Sequence, residues 1–335
     1  MILHPGVLAL ILGSGVTLVL LLFASVLGIR ILRRWDITSS SEEQLILERR
    51  TYLVSTLVQY GLIFELLSIF LFIYTADDLR SLLVGAMCAT GTLNANTYGF
   101  PTLYAKVASV FLAASWIALN YIDNRAEDYP LTKKKYLLLL FIVPVVAAGC
   151  LLEIGFFSGL SPDVITSCCG LLFSEGGRGI ASSLASLPVH PTEIVFYSLC
   201  SFVVITGIAV ARKGGKPYTL LLSVLSVVFF FVSIAAVISF INLYFYQMPT
   251  HHCPFCILQS GYYYVGYPLY ASLFAGVFFG AMTGIIEPFR KIPSLAAVIP
   301  GTQRRWALIA LCSLVVFVLI TLIPMVFSSF TLEGY

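Results

Sequence analysis

Eight apolar stretches alternate with short polar segments along this chain, at roughly 6–29, 52–75, 105–122, 136–157, 193–211, 218–245, 266–286 and 306–328. Most approach or exceed the about 20 residues that a helix needs to cross the hydrocarbon core of a lipid bilayer. Within them apolar residues run on without the every-second-residue alternation of a membrane barrel strand. The pattern therefore predicts eight transmembrane helices and an all-α, polytopic membrane protein. No polar segment between them is long enough to fold as a soluble domain. Composition agrees: 59% of residues are apolar, 10% are charged, and mean hydropathy is +0.97. A water-soluble fold has too little interior for that much apolar surface.

Charge sets the expected orientation. The segments 30–51, 123–135, 212–217 and 287–305 hold 16 of the 19 Lys and Arg residues, and the remaining three are Arg80, Lys106 and Arg178. Basic residues favour the cytoplasmic side, so both termini are expected outside, in what reads as a cytoplasmic membrane. The first stretch has no basic residue before it and Arg30, Arg33 and Arg34 after it. That is the reverse of a secretory signal, and the segment is expected to be a retained helix. The net charge of +3 is then a topology signal, and no nucleic-acid partner is expected.

With this orientation all four histidines lie outside, as do Cys88, Cys168, Cys169, Cys253 and Cys256. The outer face of a bacterial-type membrane is an oxidising compartment. Cys150, Cys200 and Cys312 fall within spans, where a thiol usually serves as a small apolar filler.

The chain also reads as a duplication. "YGFPTLYAKVASVF" leads into the third span and "VGYPLYASLFAGVF" into the seventh, with Pro101 and Pro268 separated by 167 residues. Four spans per half give a parallel repeat. The expected organisation is a first four-helix repeat at 1–160, an outer cysteine-bearing connector at 161–192, and a second repeat at 193–335. On this reading Cys88 is the first half's counterpart of Cys253 and Cys256. The polar run Thr90–Thr97 caps the bundle or lines a cavity.

"HHCPFC", His251–Cys256, concentrates the chemistry. If the seventh helix begins near Pro254, Cys253 caps it and Cys256 lies one turn in. Helix-terminal amides then favour a reachable Cys253 thiolate, with Cys256 buried behind it. Three outcomes stay open: a redox dithiol, a structural disulfide, or a metal site. Cys168 and Cys169 are adjacent, so a bond between them closes a strained, easily reduced ring; alternatively each pairs elsewhere, for instance with Cys88. Five outer cysteines leave at least one unpaired, whatever the pairing.

A Cys-Pro-x-Cys pair at the outer end of a membrane helix, with further cysteines in outer loops, resembles quinone-linked membrane thiol oxidoreductases. These are the vitamin K epoxide reductase family and the bacterial disulfide-forming membrane oxidases. The likeness is confined to residues around 250–280; those families use one short helical bundle. It implies a quinone beside Cys256 and exchange between Cys253 and a shuttle thiol, Cys168 or Cys169. It also implies an extracytoplasmic thiol protein or a membrane subunit as partner.

The rival reading is a soft-metal site. Cys253, Cys256, Cys168 and Cys169 suit zinc or Cu(I), with His251, His252, His190 and Met87 as further ligands. A third reading is a membrane subunit whose outer cysteines only brace a cap. Cys256 precedes Ile257, so no c-type haem attachment motif is present, and no histidine lies mid-span to hold b-type haem.

Two carboxylates, Glu65 and Glu153, lie within spans, where acids are costly and candidates for proton relay to a quinone or for cation binding. Glu153 is close enough to a span end to be expected at the interface. Gly276, Gly280 and Gly284 recur every fourth residue and predict close helix packing in the seventh span. Tyr262, Tyr263, Tyr264, Tyr267 and Tyr270 read as an interfacial aromatic belt.

Overall fold

The computed structural model describes residues 1–37, 39, 41–163, 165–166 and 180–332. Cys168, Cys169 and Arg178 lie outside the described residues. Among the described residues, eight helices are long and apolar enough to cross a membrane. They are α1 (Pro5–Arg34), α2 (Glu42–Asp78), α3 (Gly99–Asp123), α4 (Thr132–Ser158), α5 (Val189–Arg212), α6 (Lys216–Tyr246), α7 (Gly266–Ile285) and α8 (Val298–Phe327). The protein is an all-α polytopic membrane protein, as its apolar pattern predicts.

Helix ends follow local chemistry. His4 precedes Pro5, and its Nδ1 accepts the Gly6 N–H at 3.2 Å. Its Nε2 must then carry the proton that meets Asp78 at 3.0 Å, tying the start of α1 to the end of α2. Ser41 caps α2 by accepting the Gln44 N–H, and Glu42 and Glu43 follow in the first turn, where a carboxylate favours the helix dipole.

The chain forms two compact units, and each also takes a short segment from the other half of the sequence. The first comprises Met1–Leu83, Thr92–Val164 and Ile292–Val298; the second comprises Val84–Gly91, Ile165–Lys291 and Ile299–Tyr335. In the first, α1 packs on α2 and α4, and α3 packs on the same two helices. Leu21, Leu62, Trp116, Tyr136 and Ile142 bring all four helices into one core. Leu12, Val16, Val19 and Phe23 stay exposed on α1, as a lipid-facing surface requires.

In the second unit α6 packs on α5 and α7. A Cβ at Gly276 would lie 2.6 Å from Leu314 of α8, and one at Gly207 would lie 2.8 Å from Leu311. A Cβ at Gly280 or Gly284 would strike Ser226 or Ser223 of α6. The glycine stripe thus buys close approach on two sides, which matters because lipid offers helices no hydrophobic drive to associate and leaves packing to do it. Phe196, Phe229, Phe240 and Phe317 fill the interior, with ring centroids 5.6–6.2 Å apart.

One expectation is overturned. The seventh helix does not begin near Pro254 but at Gly266. Tyr263 and Tyr264 hold left-handed φ angles of 54° and 55°, which no right-handed helix accommodates. Cys256–Leu258 instead forms a 3-10 turn. Cys253 therefore caps no helix, and dipole activation of its thiol has no structural basis.

Candidate functional site

The second unit gathers three cysteines. Cys88 arrives on Val84–Gly91, while Cys253 and Cys256 arrive on the loop between α6 and α7. Their sulfurs all lie within 4.8 Å of one another, and Cys88 Sγ is 3.6 Å from Cys253 Sγ. None of the three is in a disulfide. Thr90 Oγ1 stands 3.2 Å from Cys253 Sγ.

Each loop is fixed by its own polar contacts. Gly85 adopts φ +85°, and a Cβ there would lie 2.7 Å from the Thr166 carbonyl oxygen, so only glycine fits this crossing. Thr166 N–H donates to Val84 O at 2.9 Å, and Gly91 N–H to Cys88 O at 2.9 Å. Gln259 Nε2 donates to Met87 O at 3.0 Å, joining the two loops.

The second loop hangs from α6 and α7. Asn242 Nδ2 donates to Cys253 O at 3.1 Å, and Tyr246 Oη donates to the same oxygen at 2.5 Å while accepting the Ile257 N–H at 3.0 Å. Tyr270 Oη donates to Pro254 O at 2.7 Å. Upstream, α6 widens into a π turn at Val237–Ile241. Such a turn disturbs the regular ladder of backbone hydrogen bonds and often marks a functional site. Here Ile238 O accepts from His252 Nδ1 at 2.8 Å, which sets the tautomer: Nδ1 carries the proton.

The structure treats the sequence candidates unequally. Cys88, Cys253 and Cys256 come together; His251 and His252 do not belong to the converging donor set. The His251 ring packs edge-on against Tyr246, centroids 4.4 Å apart. Burial pushes its imidazole below 6.5; a thiolate at Cys88 would pull it back up, and His252 pushes it down. Cys253 is not the reachable thiol either: it is 1% exposed, against 6% for Cys256 and none for Cys88. Tyr270, read from sequence as part of an aromatic belt, anchors the Cys-Pro turn. Asn242 and Tyr246 carry no sequence signal for such a role, and Thr90 is marked only as the start of a polar run.

Glu65 and Glu153 belong to the first unit and share a cation. Lys106 Nζ, 3% exposed, lies 2.8 Å from Glu153 Oε2 and 3.8 Å from Glu65 Oε2. It also donates to Ser14 Oγ and Ser68 Oγ, both at 3.1 Å. Glu153 is fully buried and does not reach the interface as expected: its partner lies inside the bundle. A second buried pair joins Lys135 Nζ to Asp123 Oδ2 at 2.8 Å. Asp123 also accepts from the Leu131 N–H and the Thr132 hydroxyl at the start of α4. Lys106 and Lys135 entered the sequence reading only as topology charges. A lone lysine in an apolar stretch is itself a functional signal, and that rule would have found Lys106.

No protein-family model, curated protein or solved structure matches this chain.

Proposed function

We propose that the protein is a membrane metal-binding protein whose centre holds a soft ion, Cu(I), on Cys88, Cys253 and Cys256. The spacing of the sulfurs carries this reading. A metal–sulfur bond of about 2.3 Å places the sulfurs of a trigonal site about 4 Å apart; here Cys88 and Cys253 are 3.6 Å apart and all three sulfurs lie within 4.8 Å of one another. All-sulfur donors favour Cu(I) over harder ions. Burial supports a ligand set more than a nucleophile, which has to be reached by its substrate. The Thr90 hydroxyl, free to turn its proton toward Cys253, offsets part of the thiolate charge.

The purified full-length protein, titrated anaerobically with Cu(I) against a chromophoric competitor, should retain one tightly held ion per chain. Cys256→Ser should abolish it. Retention of zinc in preference to Cu(I) would indicate a tetrahedral site with a fourth donor beyond these three, and would overturn the assignment.

Thiol–disulfide chemistry is the second reading, favoured by the 3.6 Å between the Cys88 and Cys253 sulfurs. A disulfide at about 2.05 Å needs a further approach of about 1.6 Å. The two thiols would surrender two electrons and two protons to a quinone and become a Cys88–Cys253 bond. Failure to bind Cu(I), with that cross-link formed on exposure to a soluble quinone, would establish it instead.

We read either chemistry as extracytoplasmic, a reading supported by the distribution of basic residues. A membrane-impermeant thiol reagent applied to intact cells should label Tyr263→Cys, whose parent side chain is 92% exposed, and leave Lys134→Cys unlabelled. The opposite pattern reverses the orientation.

A further inference from the structure

The interior charges of the first unit do not balance. Two carboxylates, Glu65 and Glu153, meet one ammonium, Lys106, inside helices that span the membrane. Fully ionised, the cluster would carry an uncompensated negative charge in an apolar interior, where a carboxyl group takes up a proton instead.

Geometry says which residue holds it. Lys106 has three N–H donors, and three acceptors lie within 3.1 Å: Glu153 Oε2, Ser14 Oγ and Ser68 Oγ. Its charge is fully spent on them. Glu153 Oε2 gains a second donor from the Ser14 hydroxyl at 3.1 Å, so Glu153 is the stabilised anion. Glu65 Oε2, at 3.8 Å from Nζ, lies beyond hydrogen-bond distance. Glu65 Oε1 and Glu153 Oε1 are buried with no hydrogen-bond partner.

We infer that Glu65, beside the Lys106–Glu153 pair, is a proton-binding site of the first helical unit. The groups around it come from all four helices: Ser14 of α1, Ser68 of α2, Lys106 of α3, and Glu153 of α4, with the Cys150 thiol one turn back along α4. A metal cation would have to sit beside an ammonium that already occupies the cation position. Fully buried Phe72, Phe156 and Phe157, with centroids 4.9–5.9 Å apart, lie one to two turns beyond Glu65 and Glu153 along α2 and α4. They form an apolar layer on that side of the cluster. A side chain that takes up and releases a proton within a helix bundle is the element that proton-coupled transport and proton relay both require.

The inference is independent of the thiolate centre. Infrared difference spectra of the full chain in lipid vesicles should contain a protonated-carboxyl C=O band that moves to lower frequency in D2O. Glu65→Gln should remove it. Glu153→Gln should remove it too, because Glu65 then becomes the counter-ion of Lys106 and ionises. Both variants should keep Cu(I) binding if the thiolate site is sound, so a loss there with the band behaviour intact concerns the other reading alone. Because either glutamine variant would lose the band whichever glutamate held the proton, Glu65→Asp and Glu153→Asp assign it: the first should shift the band, the second should leave it in place, and this pair decides if a glutamine variant fails to fold. Absence of the band in the wild-type protein, its survival in either glutamine variant, or its appearance only after sodium and potassium are removed would overturn the assignment.

Discussion

Replacing Lys106 with methionine should destabilise the protein by about 3–5 kcal/mol, the cost of stripping one partner from a buried ion pair. Methionine fills the stem's volume but leaves Glu153 facing Glu65 with no cation and leaves Ser14 and Ser68 without their shared donor. The carboxylates can then escape only by taking up protons. The contrast is the triple replacement Lys106→Met, Glu65→Leu, Glu153→Leu, which removes every charge together. It should recover most of the loss, since buried ionic sets often exchange for apolar ones at little cost. Unfolding in mixed micelles, followed by circular dichroism, measures both. A Lys106→Met protein within about 0.5 kcal/mol of wild type, the range of ordinary surface substitutions, would mean that the cluster is not held in the charged form its geometry describes.

The spans were legible because a bilayer makes a single demand over about 20 residues, and α1 to α8 satisfy it in unbroken runs. The glycines of α7 were legible for a related reason: a small residue every fourth position leaves one face open for a neighbour. Tertiary convergence was not legible. Cys88 and Cys253 are 165 positions apart, and nothing in "MCATG" announces that its sulfur meets the Cys-Pro-Phe-Cys loop. The apolar run 266–286 marks α7 itself; the conditional start near Pro254 rests on proline's suitability as a first helical residue, whereas the left-handed backbone at Tyr263 and Tyr264, which excludes it, is set by the fold. Lys106 was hidden differently. Counting basic residues for orientation treats each as a surface charge, and both Lys106 and Lys135 are buried.

The sharpest test of the thiolate centre lies in the residue that the sequence left apart. If Cys88 is a ligand equal to Cys253, Cys88→Ser should weaken Cu(I) binding as much as Cys253→Ser does. Changes to groups that merely support a ligand cost about 10–100-fold in metal affinity. Loss of one of three sulfurs should exceed that, on the order of 1,000-fold, or about 4 kcal/mol. Thr90 gives the calibration. Its hydroxyl touches Cys253 Sγ at 3.2 Å but would not bind the ion, so Thr90→Val should fall within the lower range and Thr90→Ser should restore affinity. Competition titrations on the four variants rank the contributions directly. Because the ligands bind as thiolates, affinity should also rise with pH as the bound sulfurs shed their protons. A Cys88→Ser protein that binds Cu(I) like wild type would return the site to Cys253 and Cys256 alone. Equal loss from Cys88 and Cys253, with a smaller loss from Thr90→Val, would establish one three-sulfur centre built from two distant loops.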